Sequence, residues 1–374
     1  MHAHSRRYFR SFDWISVGIV VILSIIGLLF VCSTTYQPDR PYSLFFKKQL
    51  FGIISGYILC LITCSIDYRR LQRWGYFLFI VTIGLLVFTT IRGTIGLGAR
   101  RWIYLWHFGF QPSELIKLFF PAFFTYYLRD EQESYLRARI ILPLISMVGI
   151  SILLIRSQPD LGTAIVITLS SSILFYAIGI PSKIFIITAL TFLCSFPIVW
   201  KHLKPYQQQR ILVFLGQGDS RKERYQIEQS CIAIGSGGLF GKGLLNGTQN
   251  ILQFLPESRT DFIFSIICEE WGFIGALGIL LLYLILFIRL LMHIYFMHDP
   301  CLQMLSLGLI IHIIISTVIN IGMVTGLLPI VGIPLPFMSY GITNLWISFM
   351  SLGFFMGILM QYNNSILSAS KPIH

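Results

Sequence analysis

Charged residues are scarce in this chain of 374 residues, making up 12% of it, whereas hydrophobic residues make up 55%. An ordinary soluble domain carries roughly 25% charged residues, so the composition excludes that class and favours a chain that uses lipid as its solvent. The apolar runs also lack the period-2 alternation of a membrane β-barrel. Because only helices and closed barrels satisfy their backbone hydrogen bonds in lipid, the remaining interpretation is helical.

Several common site signatures are also missing. The seven cysteines show no disulfide pattern, and no ligand cluster has the spacing of a metal site, although a divalent cation could still assist. The segment GSGGLFGKG departs from the Walker A pattern at Ser236 and Gly243, so we exclude ATP binding. The first apolar run has no A-x-A-like cleavage site, and we expect it to stay as an uncleaved span.

Ten apolar runs approach the length of about 20 residues that a membrane-crossing helix needs. They cover residues 14–32, 49–66, 74–91, 112–128, 140–155, 161–179, 183–200, 261–288, 302–326 and 337–360. The pattern predicts an all-α polytopic membrane protein of about ten transmembrane helices, with residues 1–374 forming a single membrane domain.

The net charge of +12 comes from short basic clusters between the apolar runs. Such clusters are typical of cytoplasmic loops, so we interpret them as orientation signals rather than as a nucleic-acid-binding surface. Arg6, Arg7 and Arg10 precede the first span, and further clusters occupy alternate loops. This alternation predicts that both termini are cytoplasmic and that one large extracytoplasmic loop, at about residues 201–260, joins spans 7 and 8.

The unusual polar segments then fall on the outer face. Glu114 and Lys117 stand three residues apart at the start of a span, on one helix face, where they form either a structural ion pair or part of a site. Asp160 precedes the span that begins at Leu161, where a carboxylate either caps the helix or belongs to a site. These segments direct the search for function to the outer face.

The run at residues 261–288 is longer than a span requires, since 28 helical residues measure roughly 42 Å. The uncharged part from Trp271 onward is sufficient to cross the membrane by itself. We therefore expect Asp261, Glu269 and Glu270 to lie above the hydrocarbon or in a wet outer cavity.

Five stretches together resemble the SEDS proteins (shape, elongation, division and sporulation), which are bacterial cell-wall glycosyltransferases. In family order, they are GLGARRWI from Gly96, FQPSELIKL from Phe110, SQPDLGTA from Ser157, NGTQNILQFLPESRTDFIFSIICEEWGFIG from Asn246 and NIGMVTGLLPIVGIPLPFMSYG from Asn320. The last two look more like the RodA branch, which acts in elongation, than the FtsW branch, which acts in division. Two positions depart from the family pattern: Arg259 stands where His is usual, and Ile342 where a second Gly is usual.

The resemblance implies polymerisation of lipid II, the undecaprenyl-pyrophosphate-linked disaccharide-pentapeptide, into glycan strands during cell elongation. It implies the bacterial cytoplasmic (inner) membrane, an outward-facing site and a class B penicillin-binding transpeptidase as partner. The residue matching the family's essential acid is Asp261, which we expect to act as general base in an inverting transfer. The residues expected to bind the pyrophosphate or to organise the site are Arg100, Arg101, Glu114, Lys117, Asp160, Lys242 and Arg259.

Three other interpretations remain open. A lipid II flippase or transporter would also use ten spans and buried charges, although no convincing internal repeat is visible. The chain could instead be an FtsW-like septal polymerase, or a scaffold for the transpeptidase. An activity assay on the isolated protein separates catalysis from transport and scaffolding.

Overall fold

The computed structural model describes residues 12–39, 41–96, 99–105, 108–129, 138–203, 205–214, 221–252 and 254–369. Within them the helices are α1 (Trp14–Thr34), α2 (Leu44–Cys64), α3 (Tyr68–Arg92), α4 (Ser113–Leu128), α5 (Ala138–Ser157), α6 (Leu161–Ala177), α7 (Ser182–His202), α8 (Pro205–Phe214), α9 (Arg221–Ser236), α10 (Thr248–Ile251), α11 (Ile263–Tyr295), α12 (Pro300–Val324) and α13 (Ile342–Ala369). The strands are β1 (Thr94–Gly96), β2 (Ala99–Leu105) and β3 (Phe108–Phe110). Arg6, Arg7 and Arg10 lie outside the described residues.

Seven of the described helices are long and apolar enough to cross a membrane: α1, α2, α3, α5, α11, α12 and α13. The other three predicted spans coincide with α4, α6 and α7, of which α4 and α6 are short, with 16 and 17 residues. The chain is therefore a mainly helical, multi-span membrane protein, and the count of ten spans stays a prediction.

Helices α12 and α13 form the centre of the bundle. In the most apolar stretch of each helix, 78% of the residues of α12 and 83% of those of α13 are buried, against 28% for α11. Helix α13 packs on α2, whereas α12 packs on α4 and α6, and α3 lies against α4. The outer helices carry exposed Leu, Ile and Phe side chains on their other faces. Exposed apolar faces of this kind are what lipid solvates.

The fold is not wholly helical, which corrects the all-α prediction. Strands β1, β2 and β3 form one antiparallel sheet in sequence order, with Ile95 opposite Arg100 and Ile103 opposite Phe110. The sheet lies between α3 and α4, and the Thr343 hydroxyl of α13 donates a hydrogen bond to the carbonyl of Gly109 at 3.2 Å. Its strands are three to seven residues long, too short to stand out from the adjoining apolar runs.

Helix α11 is broken near one third of its length, at Gly272, whose φ of 66° is left-handed. The glycine-rich segment at residues 235–247, which precedes α10, packs against the break. The amides of Lys242 and Gly243 donate to the carbonyls of Glu269 and Glu270, each at 3.0 Å, and the amide of Phe273 donates to the carbonyl of Gly238 at 2.9 Å. The segment thus satisfies backbone groups that the kink releases, so its glycines serve close backbone approach to a helix.

Helix α1 runs antiparallel to α11 and is tied to it at both ends. At one end, Asp13 accepts a hydrogen bond from the Arg289 guanidinium at 2.7 Å and lies 3.1 Å from His293 Nε2. At the other end, the Ser33 hydroxyl donates to Glu270 Oε1 at 2.5 Å. The second end, which also holds the sheet and the starts of α4, α6 and α11, carries the candidate site.

Candidate active site

Asp261 lies in the turn that precedes α11, and its backbone is held by two neighbours. Its amide donates to the carbonyl of Glu257 at 3.2 Å. The Asn320 side chain, which comes from the buried helix α12, donates to the carbonyl of Asp261 at 2.8 Å and to that of Ile333 at 2.7 Å. Asn320 therefore joins the turn before α11 to the Pro- and Gly-rich segment at residues 329–341, which precedes α13.

The Asp261 carboxylate packs against this segment at Gly332, where a Cβ atom would stand 3.3 Å from Asp261 Oδ2. The pKa of the carboxyl is raised to about 7, first by burial and then by the Glu257 carboxylate, while Arg101 and Arg210 oppose the shift. A carboxyl with a pKa near 7 is well suited to accept a proton at neutral pH. The raised pKa agrees with the general-base role expected for Asp261, which stays a prediction.

Asp160 is the centre of a second polar cluster. It caps α6, with its Oδ1 accepting from the amide of Thr163 at 3.3 Å. Its carboxylate also lies 3.5 Å from Arg101 Nη1, and it accepts from Gln111 Nε2 at 2.5 Å and from the Ser113 hydroxyl at 3.3 Å. Asp160 therefore caps α6 and also contacts Arg101, whose charge acts in turn on Asp261, while its role in organising a site stays a prediction.

Glu114 and Lys117 form the predicted pair on one face of α4. Lys117 Nζ lies 2.7 and 2.8 Å from the two Glu114 carboxylate oxygens, and both residues are only 6% exposed. The Thr163 hydroxyl is 3.5 Å from Glu114 Oε1. Since the amide of Thr163 binds Asp160, the pair and the Asp160 cluster share one residue.

The remaining predicted cations occupy different surroundings. Lys242 Nζ pairs with Glu269 Oε1 at 2.7 Å and also donates to the Thr248 hydroxyl at 2.8 Å. Arg259 stacks its guanidinium on the ring of Phe45. Arg100 lies on β2, but its side chain is outside the described part of the structure.

The prediction of a wet outer cavity is wrong for Glu269 and Glu270, whose side chains are buried. The two residues are only 0% and 1% exposed. Glu270 accepts from Ser33 and from the amide of Leu245 at 3.1 Å, while Glu269 binds Lys242. Protein groups therefore compensate for part of their burial, while Glu269 Oε2 has no hydrogen-bond partner among the described residues. Their role is to fasten the glycine-rich segment to the break in α11.

Sequence reasoning missed Asn320, Gln111 and Glu257 as site residues. Asn320 could have been recognised from the sequence, because an amide inside a long apolar helix needs a hydrogen-bond partner within the bundle. Gln111 carries no such signal, because its partner Asp160 becomes a neighbour only after folding, whereas Glu257 lies four residues before Asp261 and could have been considered with it. Among the described residues no three His, Cys, Asp or Glu side chains converge as a metal site, and the divalent cation stays a prediction.

Together these features define a polytopic helical membrane protein with a buried charged site at one end of its bundle. The chain belongs to the family that unites FtsW, RodA and SpoVE, because the family model, described as cell cycle protein, matches residues 13–364. A relative named peptidoglycan glycosyltransferase MrdB, from Escherichia coli K12, is 36% identical over 83% of this chain and 85% of its own length. Stage V sporulation protein E from Bacillus subtilis is 35% identical over 92% of this chain and 96% of its own.

Two solved structures show the same fold. One comes from a peptidoglycan synthase complex and is described as showing the structural coordination of polymerization and crosslinking. It matches with a TM-score of 0.78 and 26% identity, over 94% of this chain and 98% of the other. The rod shape determining protein RodA of Thermus thermophilus matches with a TM-score of 0.69 and 25% identity, over 94% and 97% of the two chains.

Proposed function

We propose that this protein is a peptidoglycan glycosyltransferase that polymerises lipid II into glycan strands during cell elongation. Relatives that match most of the chain are named peptidoglycan glycosyltransferases. The observation that carries the proposal is the Asp261 carboxyl, which has a raised pKa and lies within electrostatic reach of Arg101 at the polar end of the bundle.

Asp261 acts as the general base in a single displacement. It takes the proton from the 4-hydroxyl of the acceptor sugar while that oxygen bonds to the anomeric carbon of the donor. The bond from the anomeric carbon to the pyrophosphate breaks, and its electron pair leaves with the pyrophosphate. This inverting transfer needs no covalent enzyme intermediate.

The other charged residues position and balance this base. Arg101 is shared between Asp160 and Asp261, so the proposed role of Asp160 is to hold Arg101 where it favours the ionised form of Asp261. The buried pair of Glu114 and Lys117 fixes Thr163 and thereby the start of α6. In this arrangement the site faces the outside of the bacterial cytoplasmic membrane, both termini lie in the cytoplasm, and the polyprenyl chains occupy the apolar surfaces between spans.

A class B penicillin-binding transpeptidase is the proposed partner. Supporting this, one structural match is titled as a synthase complex that couples polymerization to crosslinking. A transpeptidase that crosslinks the peptides would use the glycan strand that this chain makes.

The test is an assay of purified protein with labelled lipid II in liposomes. We expect glycan strands from wild type and from the control Asp39→Asn, whose side chain lies exposed in the turn between α1 and α2, but not from Asp261→Ala or Asp261→Asn. Lipid II that crosses the liposome without forming glycan would instead establish a flippase. Polymerisation by both Asp261 variants would exclude the base assignment, and an EDTA arm tests whether a divalent cation assists.

A further inference from the structure

Arg259 differs in its partner from the other predicted cations whose side chains the structure describes. Arg101, Lys117 and Lys242 each pair with a carboxylate, which neutralises most of their charge. Within the described residues no acidic side chain lies within ion-pair distance of Arg259, although it stands two positions before Asp261. Arg259 therefore brings a positive charge to this end of the bundle that no described carboxylate cancels.

The Arg259 side chain is nevertheless held in place. Its guanidinium carbon lies 3.9 Å from the centre of the Phe45 ring, at the first turn of α2. The Phe45 ring packs edge-on against Tyr340, with centroids 5.4 Å apart, and the amide of Tyr340 donates to the carbonyl of Arg259 at 2.9 Å. Stacking uses the flat face of the guanidinium and leaves its N–H edge to bind an anion, for which the planar fork is suited to two phosphate oxygens.

The surroundings indicate a lipid-linked anion. Leu44 and Phe51 on α2 are 64% and 45% exposed, as is typical of a lipid-facing helix surface. An anionic head group on Arg259 would therefore lie where an attached polyprenyl chain can follow the outside of α2. Arg259 also contacts α2 and the segment before α13, whereas Arg101 contacts the start of α6. Arg259 and Arg101 are therefore held by different parts of the bundle.

We propose that Arg259, stacked on Phe45, binds the pyrophosphate of the polyprenyl-linked donor and receives its charge as it leaves. The assignment rests on the proposed glycosyl transfer for its chemistry, but the binding site is defined by this chain's own residues. Phe45 acts as a positioning residue, because it contacts the guanidinium and not the substrate.

The experiment measures binding of undecaprenyl pyrophosphate to the detergent-solubilised full chain, with neutral undecaprenol as the comparison lipid. We expect Arg259→Gln to weaken pyrophosphate-lipid binding by about ten- to a hundredfold, as for the loss of one charge-assisted contact, and to leave undecaprenol binding unchanged. Arg259→Lys keeps the charge and should lose less, and Phe45→Leu should lose about two- to fivefold. The matched control is Arg224→Gln, since Arg224 lies exposed on α9 with Glu228 as its partner.

Equal binding of the pyrophosphate lipid by wild type and Arg259→Gln would overturn the assignment, as would an equal loss for both lipids. If Arg259→Gln does not fold, Arg259→Lys and Phe45→Leu decide, and unchanged binding in both counts against the site. A wild-type protein that binds in an Arg259-dependent way but forms no glycan would refute the proposed function and leave this site standing. Normal polymerisation with Arg259-independent binding would do the reverse.

Discussion

The pH dependence of polymerisation follows from the surroundings of Asp261. With a pKa of about 7, half of the carboxyl groups are ionised at neutral pH and about one tenth at one pH unit lower. Because only the ionised form can take a proton, kcat/KM should rise with pH, reach half of its plateau near pH 7 and be about tenfold below the plateau at pH 6. Lipid II polymerisation measured between pH 5.5 and 8.5 gives this profile.

The variant Glu257→Gln tests whether the pKa of Asp261 sets this pH profile. The variant removes a negative charge that raises the pKa of Asp261, while its amide oxygen still accepts the hydrogen bond that the Thr260 hydroxyl donates at 3.1 Å. The midpoint of the profile should therefore move to lower pH, and Arg101→Gln should move it to higher pH. A flat profile, or a midpoint that Glu257→Gln raises, would refute the reasoning.

The same shift makes Asp261 costly for the fold in alkaline solution. A carboxyl whose folded pKa lies above its ordinary value of 3.8 favours the folded state when protonated, and that contribution is lost as the pH rises through about 7. The full loss amounts to about 4 kcal/mol. Asp261→Asn should consequently resist denaturant better than wild type at pH 8 and equally at pH 4, and equal stability at pH 8 would contradict the burial argument.

The remaining predictions concern residues that hold the site in place, each measured by denaturant unfolding in detergent micelles. Asn320→Ala leaves two carbonyl groups without their donor and should lower the free energy of unfolding by about 2–4 kcal/mol. Gly272→Ala places a side chain at positive φ against the segment at Gly241 and should cost at least about 1–3 kcal/mol. Lys242→Met should cost about 3 kcal/mol by leaving buried Glu269 without its cation, and adding Glu269→Gln should recover most of it; additive losses would show that the pair is uncoupled.

Much of the helical fold could be predicted because apolar length is a local property of the sequence. The predicted runs at residues 14–32, 302–326 and 140–155 coincide with helices within a few residues. The break in α11 could not be predicted in the same way, since Gly272 is tolerated only because a segment some 30 residues earlier supplies the missing backbone partners. The small sheet was missed because its short strands lie among apolar residues without a clear alternation.

The candidate site shows the same division between local and distant contacts. The pair of Glu114 and Lys117 and the cap at Asp160 are set by spacings of three residues, which the sequence displays directly. The pairing of Lys242 with Glu269 spans 27 residues and depends on how the glycine-rich segment folds back onto α11. Glu269 and Glu270 were therefore expected in water, because the sequence does not show that protein donors surround them.

The measurement that tests the central claim most directly is kcat for lipid II polymerisation by Asp261→Asn at saturating substrate. Loss of the base should lower kcat at least about a hundredfold, with KM within a few-fold of wild type, since the amide keeps the shape of the site but cannot take the proton. A kcat within tenfold of wild type would contradict the account.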